Sequence, residues 1–221
     1  MLLCIAVAAP ANAQRVELGV IGGVNMSDLR IADDAGVGTD TDGSKALSIG
    51  VTMEVGLNTW LFLQVAPMYS QSGATLLIAD ATTVDMDARL SFIETPLQLK
   101  LTLPGRIRPF VAAGPTVGYV LTSSLGSEIG GITFEGNAND VVHRLNVALG
   151  AAAGISTRIG RSTLFFETRY TSGLTDLFTG GPVEFRAGNL TQLVDYPDFG
   201  EIKTQSLRFL IGATIPVMGS D

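Results

Sequence analysis

His143 is the single histidine of the chain. Ser123 and Ser124 stand upstream of it in a polar stretch. A serine whose hydroxyl proton is taken by a histidine is a nucleophile for acyl transfer, so this pair is the first chemistry to weigh. A lone histidine at the margin of a polar stretch is more often a solvated surface group, and that reading is preferred. Glu54, Glu94 and Glu167 could serve as paired carboxylates for acid–base work. Lys100, Arg169 and Arg208 fall among small residues in the same way, as does Glu17. Mutual charge compensation inside a closed interior therefore explains the carboxylates better than catalysis does. Asp33, Asp34, Asp40 and Asp42 suggest a divalent-cation loop, but Gly38 interrupts the calcium-loop spacing and no glutamate closes it. A solvated acidic loop is expected there, able at most to bridge Ca²⁺ or Mg²⁺ weakly. Asn25-Met26-Ser27 and Asn189-Leu190-Thr191 match the glycosylation triplet and carry no further weight. With no glycine-rich phosphate loop and no metal-ligand cluster, neither a cofactor nor a metal is expected.

The elements holding these residues follow from composition and periodicity. The chain has 221 residues, 46% of them hydrophobic and 16% charged, with a net charge of −7. That excludes a disordered chain and speaks against nucleic acid or anionic lipid headgroups as the main partner. Mean hydropathy is +0.36, high for a soluble domain, yet no stretch reaches the roughly 18–20 apolar residues of a spanning helix. Apolar residues must be disposed of another way.

Period-two alternation supplies that way. In 46–57, Leu47, Ile49, Val51, Met53, Val55 and Leu57 alternate with Ser48, Gly50, Thr52, Glu54 and Gly56. The same pattern runs through 16–26, 61–71, 90–103, 108–121, 143–157, 163–172 and 205–217, with irregular pairing expected near Pro67 and Pro96. Between these eight segments, long connections (27–45, 72–89, 122–142, 173–204) alternate with short turns (58–60, 104–107, 160–162). This wiring predicts an all-β fold: a closed, antiparallel, eight-stranded up-and-down transmembrane β-barrel. Strands of roughly 10 residues suit an apolar band of about 25 Å at the usual tilt. Both termini and the short turns are expected on the periplasmic side, and the four long loops outside. Trp60 and Phe62 at a short turn, with Tyr69, Tyr119 and Tyr170 near the opposite ends, are candidates for interfacial girdles.

The polar face consists of Gly, Ala, Ser and Thr with Glu17, Glu54, Glu94, Lys100, Glu167, Arg169 and Arg208. A solvated outer surface carries far more Lys and Glu. Small residues and single charges instead suit the narrow lumen of an eight-stranded barrel, filled by side chains rather than by water. These seven residues are therefore expected to form a structural charge network inside. A soluble, lipocalin-like barrel is the alternative.

Several stretches resemble the porin-family outer-membrane β-barrel domain (PorT-like, of the OmpX and OmpA eight-stranded type). They are Gly19-Val20-Ile21-Gly22-Gly23-Val24-Asn25-Met26-Ser27; the run from Leu63 to Gly73 with its Tyr69-Ser70-Gln71-Ser72-Gly73; Glu94-Thr95-Pro96 followed by Lys100; Arg108-Pro109-Phe110; and Arg169-Tyr170 with Gly173-Leu174-Thr175-Asp176. Ala66 stands where that family often has a glutamate, and the last residues are not the family's aromatic ending. The resemblance implies the outer membrane of a Gram-negative bacterium, with outer-membrane lipid and lipopolysaccharide as surroundings and a monomer as the assembly. A structural or surface-interaction role through the loops, with an extracellular ligand, is the leading expectation. A narrow channel for small solutes comes second and a lipid-modifying enzyme third. Residues 1–13 read as a secretory signal peptide, apolar from Leu2 to Ala11 and ending Ala11-Asn12-Ala13. Its basic flank is missing, so the natural start is expected upstream. Residues 14–221 form the barrel domain, which then lacks Cys4, the sole cysteine.

Overall fold

The computed structural model describes residues 15–31, 41–80, 82–129, 132–137, 142–176, 181–187, 190–196 and 202–218. Residues 1–13, expected to be a signal peptide, lie outside them. In chain order the strands are β1 (Arg15–Ile31), β2 (Thr41–Gly56), β3 (Leu61–Val65), β4 (Met68–Asp80), β5 (Thr82–Thr102), β6 (Ile107–Ile129), β7 (Ile132–Asn137), β8 (Leu145–Ile159), β9 (Ser162–Gly173), β10 (Gly181–Ala187), β11 (Leu190–Tyr196) and β12 (Ile202–Met218). Among the described residues no helix is long and apolar enough to cross a membrane.

Neighbouring strands pair antiparallel all the way round. β1 pairs with β2 and β12, β2 with β3 and β4, these two with β5, then β5 with β6, β6 with β8, β8 with β9, and β9 with β12. β3 and β4 act as one stave broken at Ala66 and Pro67, so the barrel has eight staves. The expected irregularity falls at that break. Proline has no N–H to give, yet the pairing is kept up on both sides. Val51 N–H donates to the Pro67 carbonyl (3.0 Å), and Ala66 N–H donates to the Pro96 carbonyl (3.2 Å). The β8–β9 turn places Gly160 at φ +62°, which suits a two-residue hairpin that twists with its strands.

Alternation sets which face each side chain takes. Val20, Leu47, Ile49, Ile107 and Ile211 are each more than 60% exposed on the outside. Thr52, Gln64 and Gln98 are 1% exposed within. Trp60 lies exposed at the short-turn end and Tyr69 is exposed nine residues further along the same stave. Nine residues at a strand rise of 3.3 Å and a tilt of about 40° span roughly 23 Å, close to the apolar thickness of an outer membrane. The Tyr69 hydroxyl bonds to Ser91 (3.2 Å) and Gln71 (3.1 Å), as an interfacial tyrosine should.

Two expectations are corrected. First, most of the long stretches are strand. β4 and β5 run on to Asp80 and from Thr82, β6 reaches Ile129, and β7, β10 and β11 add a sheet in the order β6-β7-β10-β11. Period-two hydrophobicity fades there because both faces leave the apolar band, while backbone pairing continues. Second, the interior is not only small and ionic. Ile21, Met68, Phe110, Phe165 and Leu210 form a buried apolar cluster in the lumen, and Phe62 points in rather than joining a girdle. Inward glycines leave room for the rings. A Cβ on Gly212 would lie 2.3 Å from Phe165 Cζ, and one on Gly154 would lie 2.4 Å from Phe110 Cζ.

Outward position near mid-band and outward position at the rim should therefore respond differently to charge. Val51→Arg is expected to cost about 2–4 kcal/mol and Leu57→Arg about 0–1 kcal/mol. Urea unfolding of the refolded protein in lipid vesicles measures both, and equal tolerance at the two sites would contradict the outward assignment.

Candidate functional site

The lumen holds the residues that sequence periodicity singles out as charged and inward. Glu17, Glu54, Lys100, Glu167, Arg169 and Arg208 are all buried, and Glu94 is nearly so, with 13% of its side chain exposed. They form separate pairs rather than one continuous cluster. Lys100 Nζ lies 2.6 Å from Glu54 Oε1, and Gln64 Nε2 donates to the same oxygen at 3.4 Å. The Lys100 ammonium also sits 4.1 Å from the Phe110 ring centre and 5.3 Å from that of Phe165. The apolar cluster thus adds cation–π attraction to the ion pair.

Arg169 and Arg208 face each other across β9 and β12. Two guanidinium groups at one register position repel unless each has its own counter-charge. Arg169 Nε donates to Glu167 Oε1 at 2.7 Å. Arg208 is ion-paired with Glu94 and donates from Nε to Asn25 Oδ1 at 3.3 Å. The Met68 thioether receives one N–H contact from each arginine, both at 3.9 Å. Asn25 in turn donates to the Gln71 carbonyl at 3.0 Å, tying β1 to β4 across the interior.

Glu17 has a partner that periodicity alone did not flag. Arg15 Nε lies 2.7 Å from Glu17 Oε1, and the Thr214 hydroxyl donates to Glu17 Oε2. Arg15 shares the inward parity of Glu17, which was the available signal. With it, each of the four lumen glutamates has a cation: Arg15 for Glu17, Lys100 for Glu54, Arg208 for Glu94 and Arg169 for Glu167. Nothing in the residue types of Met68, Asn25, Phe110 and Phe165 distinguishes a lumen contact from ordinary packing.

The catalytic candidates are placed less favourably. His143 and Ser124 are exposed, whereas Ser123 is buried. The strand beside Ser124 is β7, through Asn137, while the register between β6 and β8 ends at Tyr119 and Leu145. β7 therefore occupies the place beside Ser124 that a direct β6–β8 contact would need. Of the acidic first loop, Asp33, Asp34 and Asp40 lie outside the described residues, and Asp42 falls in β2. No group of three metal-binding side chains occurs among the described residues.

Removing one partner of a desolvated pair should cost far more than removing both. Lys100→Met is expected to destabilise the barrel by about 3–5 kcal/mol, because Glu54 is left uncompensated. The double variant Glu54→Gln with Lys100→Met should recover most of that loss. Unfolding midpoints of wild type, both single variants and the double variant complete the cycle; additive losses would contradict coupling inside a dry lumen.

Comparison with known proteins places this geometry in a family. Residues 10–179 match the family described as outer membrane protein beta-barrel domain. No curated relative matches by sequence. Among solved structures, the chain is similar to the outer membrane protein OprG from Pseudomonas aeruginosa (TM-score 0.52, 11% identity, covering 93% of this chain and 98% of that one). It is likewise similar to a major outer membrane protein from Thermus thermophilus (TM-score 0.53, 12% identity, 91% and 98%). Identities this low speak to fold alone, and the family match spans more than half the sequence without reaching the narrower PorT-like label. A closed barrel with an apolar exterior, a charge-compensated interior and that match together make this chain a member of the outer membrane protein β-barrel domain family.

Proposed function

We propose that the barrel is an anchor in the bacterial outer membrane and that its work is done by the sheet and hairpins at the long-connection end. The observation that carries this reading is the filled interior. Ile21, Met68, Phe110, Phe165 and Leu210 pack together across the lumen, and Arg169 and Arg208 are 0% and 2% exposed beside them. A lumen so occupied offers little passage, so contact with the surroundings falls to the rims. In this reading the long end faces outward and meets lipopolysaccharide or an extracellular ligand, the short turns and both termini are periplasmic, and the protein acts as a monomer without a catalytic step or a nucleic-acid partner.

A narrow channel is the second reading, and one feature favours it. The Gln98 amide and the Thr116 and Thr171 hydroxyls are buried without a protein partner. All three converge on Gly150, where an added Cβ would lie 3.4–3.6 Å from them. Such a cluster suits water, and a chain of waters is the beginning of a conduit.

Planar-bilayer recording of the purified protein discriminates the two. The anchor reading expects no stable current steps, whereas regular steps that survive repurification would demote it. For orientation, an epitope inserted between Asp80 and Thr82 should be labelled on intact cells. One inserted beside Gly105 should be labelled only after the outer membrane is opened, and the reverse pattern would invert the proposed topology.

A further inference from the structure

The short-turn end carries an arrangement that neither the lumen nor the hairpins explain. Its turns, 57–60, 103–107 and 159–162, contain no carboxylate. Two adjacent ones bring arginines together. Arg106 stands just before β6 and Arg108 near its start, while Arg158 lies near the end of β8 and Arg161 in the β8–β9 turn. Register places Arg108 opposite Ser156 and Ile107 opposite Thr157, and the Thr157 hydroxyl donates to the Arg106 carbonyl at 3.2 Å. Arg106, Arg158 and Arg161 are exposed and Arg108 is half-buried. Arg106, Arg108 and Arg158 share the inward parity of Phe110 and Ser156 and so stand at the rim of the barrel, while Leu103, Ile107 and Ile159, each at least 60% exposed, take the outer face below it. The first long connection is acidic in sequence, with Asp28, Asp33, Asp34, Asp40 and Asp42.

We infer that this arginine corner is a binding site for anionic phospholipid headgroups in the leaflet at the short-turn end. Guanidinium groups bind phosphate oxygens through paired N–H donors, and the adjoining apolar residues receive acyl chains. A ligand that presents a phosphate at the boundary of a hydrocarbon layer fits both features at once, whereas a soluble phosphate would leave the apolar face unused. The site attracts anions on a chain whose net charge is −7, so the selectivity has to be local. It rests on the membrane reading of the barrel and adds a lipid class to it.

The protein carries its own probe. Trp60 is the single tryptophan, is exposed at this end, and accepts a hydrogen bond from Thr102 N–H (2.7 Å) on β5, the strand that leads into the Arg106 turn. The full chain is refolded into vesicles of phosphatidylcholine and phosphatidylglycerol at fixed composition, with bromine on the acyl chains of one lipid at a time. Trp60 fluorescence should be quenched by brominated phosphatidylglycerol as though that lipid were enriched roughly three- to tenfold around it. The enrichment should fall toward unity in Arg106→Gln with Arg161→Gln, and it should weaken as salt is raised. Equal quenching by the two lipids, or selectivity that persists in the double variant, overturns the site while leaving the barrel in the membrane. Absence of quenching by either lipid instead contradicts the membrane reading itself. If the double variant fails to refold, Arg161→Gln alone together with the salt series on the wild-type protein decides the question, because salt-independent enrichment is equally fatal.

Discussion

In hydrocarbon, a backbone N–H or C=O without a partner costs several kcal/mol, and no water is present to take its place. A sheet can therefore cross a bilayer only if its first strand meets its last. β1 and β12 make that closure along most of their length, from Glu17 opposite Pro216 to Ile31 opposite Ile202. Everything else in the molecule is subordinate to it. Closing on eight staves fixes a narrow lumen, and a narrow lumen fixes what can point inward.

Inside, two kinds of filling are interleaved. Phe110 and Phe165 lie against inward glycines, where any Cβ would collide with them, and the same rings face the Lys100 ammonium that neutralises Glu54. Charge and apolar bulk thus support each other rather than occupying separate layers. Arg169 and Arg208 take this furthest. Each is buried with its own carboxylate, and Met68 lies between them as a polarisable neighbour. An interior built in this way resists loss of any single partner poorly, which ties the lumen to the rigidity of the wall that carries the hairpins.

Much of this was legible from alternation alone, since one parity in 46–57 is wholly apolar and the other almost wholly small or ionic. Face assignment follows from the strict period of two, and Pro67 marks a break in the third stave because it cannot donate to the ladder. Three things were not legible. Inward apolar residues such as Ile21 and Phe165 have the same type as their lipid-facing neighbours, so parity, not chemistry, identifies them. Strand continuation past Gln71 and Leu121 was hidden because hydrophobic alternation reports the bilayer, not the hydrogen-bond ladder. The pairing of particular acids with particular bases depends on register, as with Arg208 reaching Glu94 on β5 from β12, and no local sequence signal carries it.

The claim on which the rest stands is that the apolar parity faces lipid. Nitroxide labels placed singly at 47, 49, 51 and 53, and at 48, 50, 52 and 54, in the protein held in bilayers, report collision with oxygen, which concentrates in hydrocarbon, and with a water-soluble nickel chelate. High oxygen and low nickel accessibility at the four odd positions, with low accessibility to both at the even ones, is the predicted pattern. Free nickel access at the odd positions, or oxygen access centred on the even ones, would contradict it.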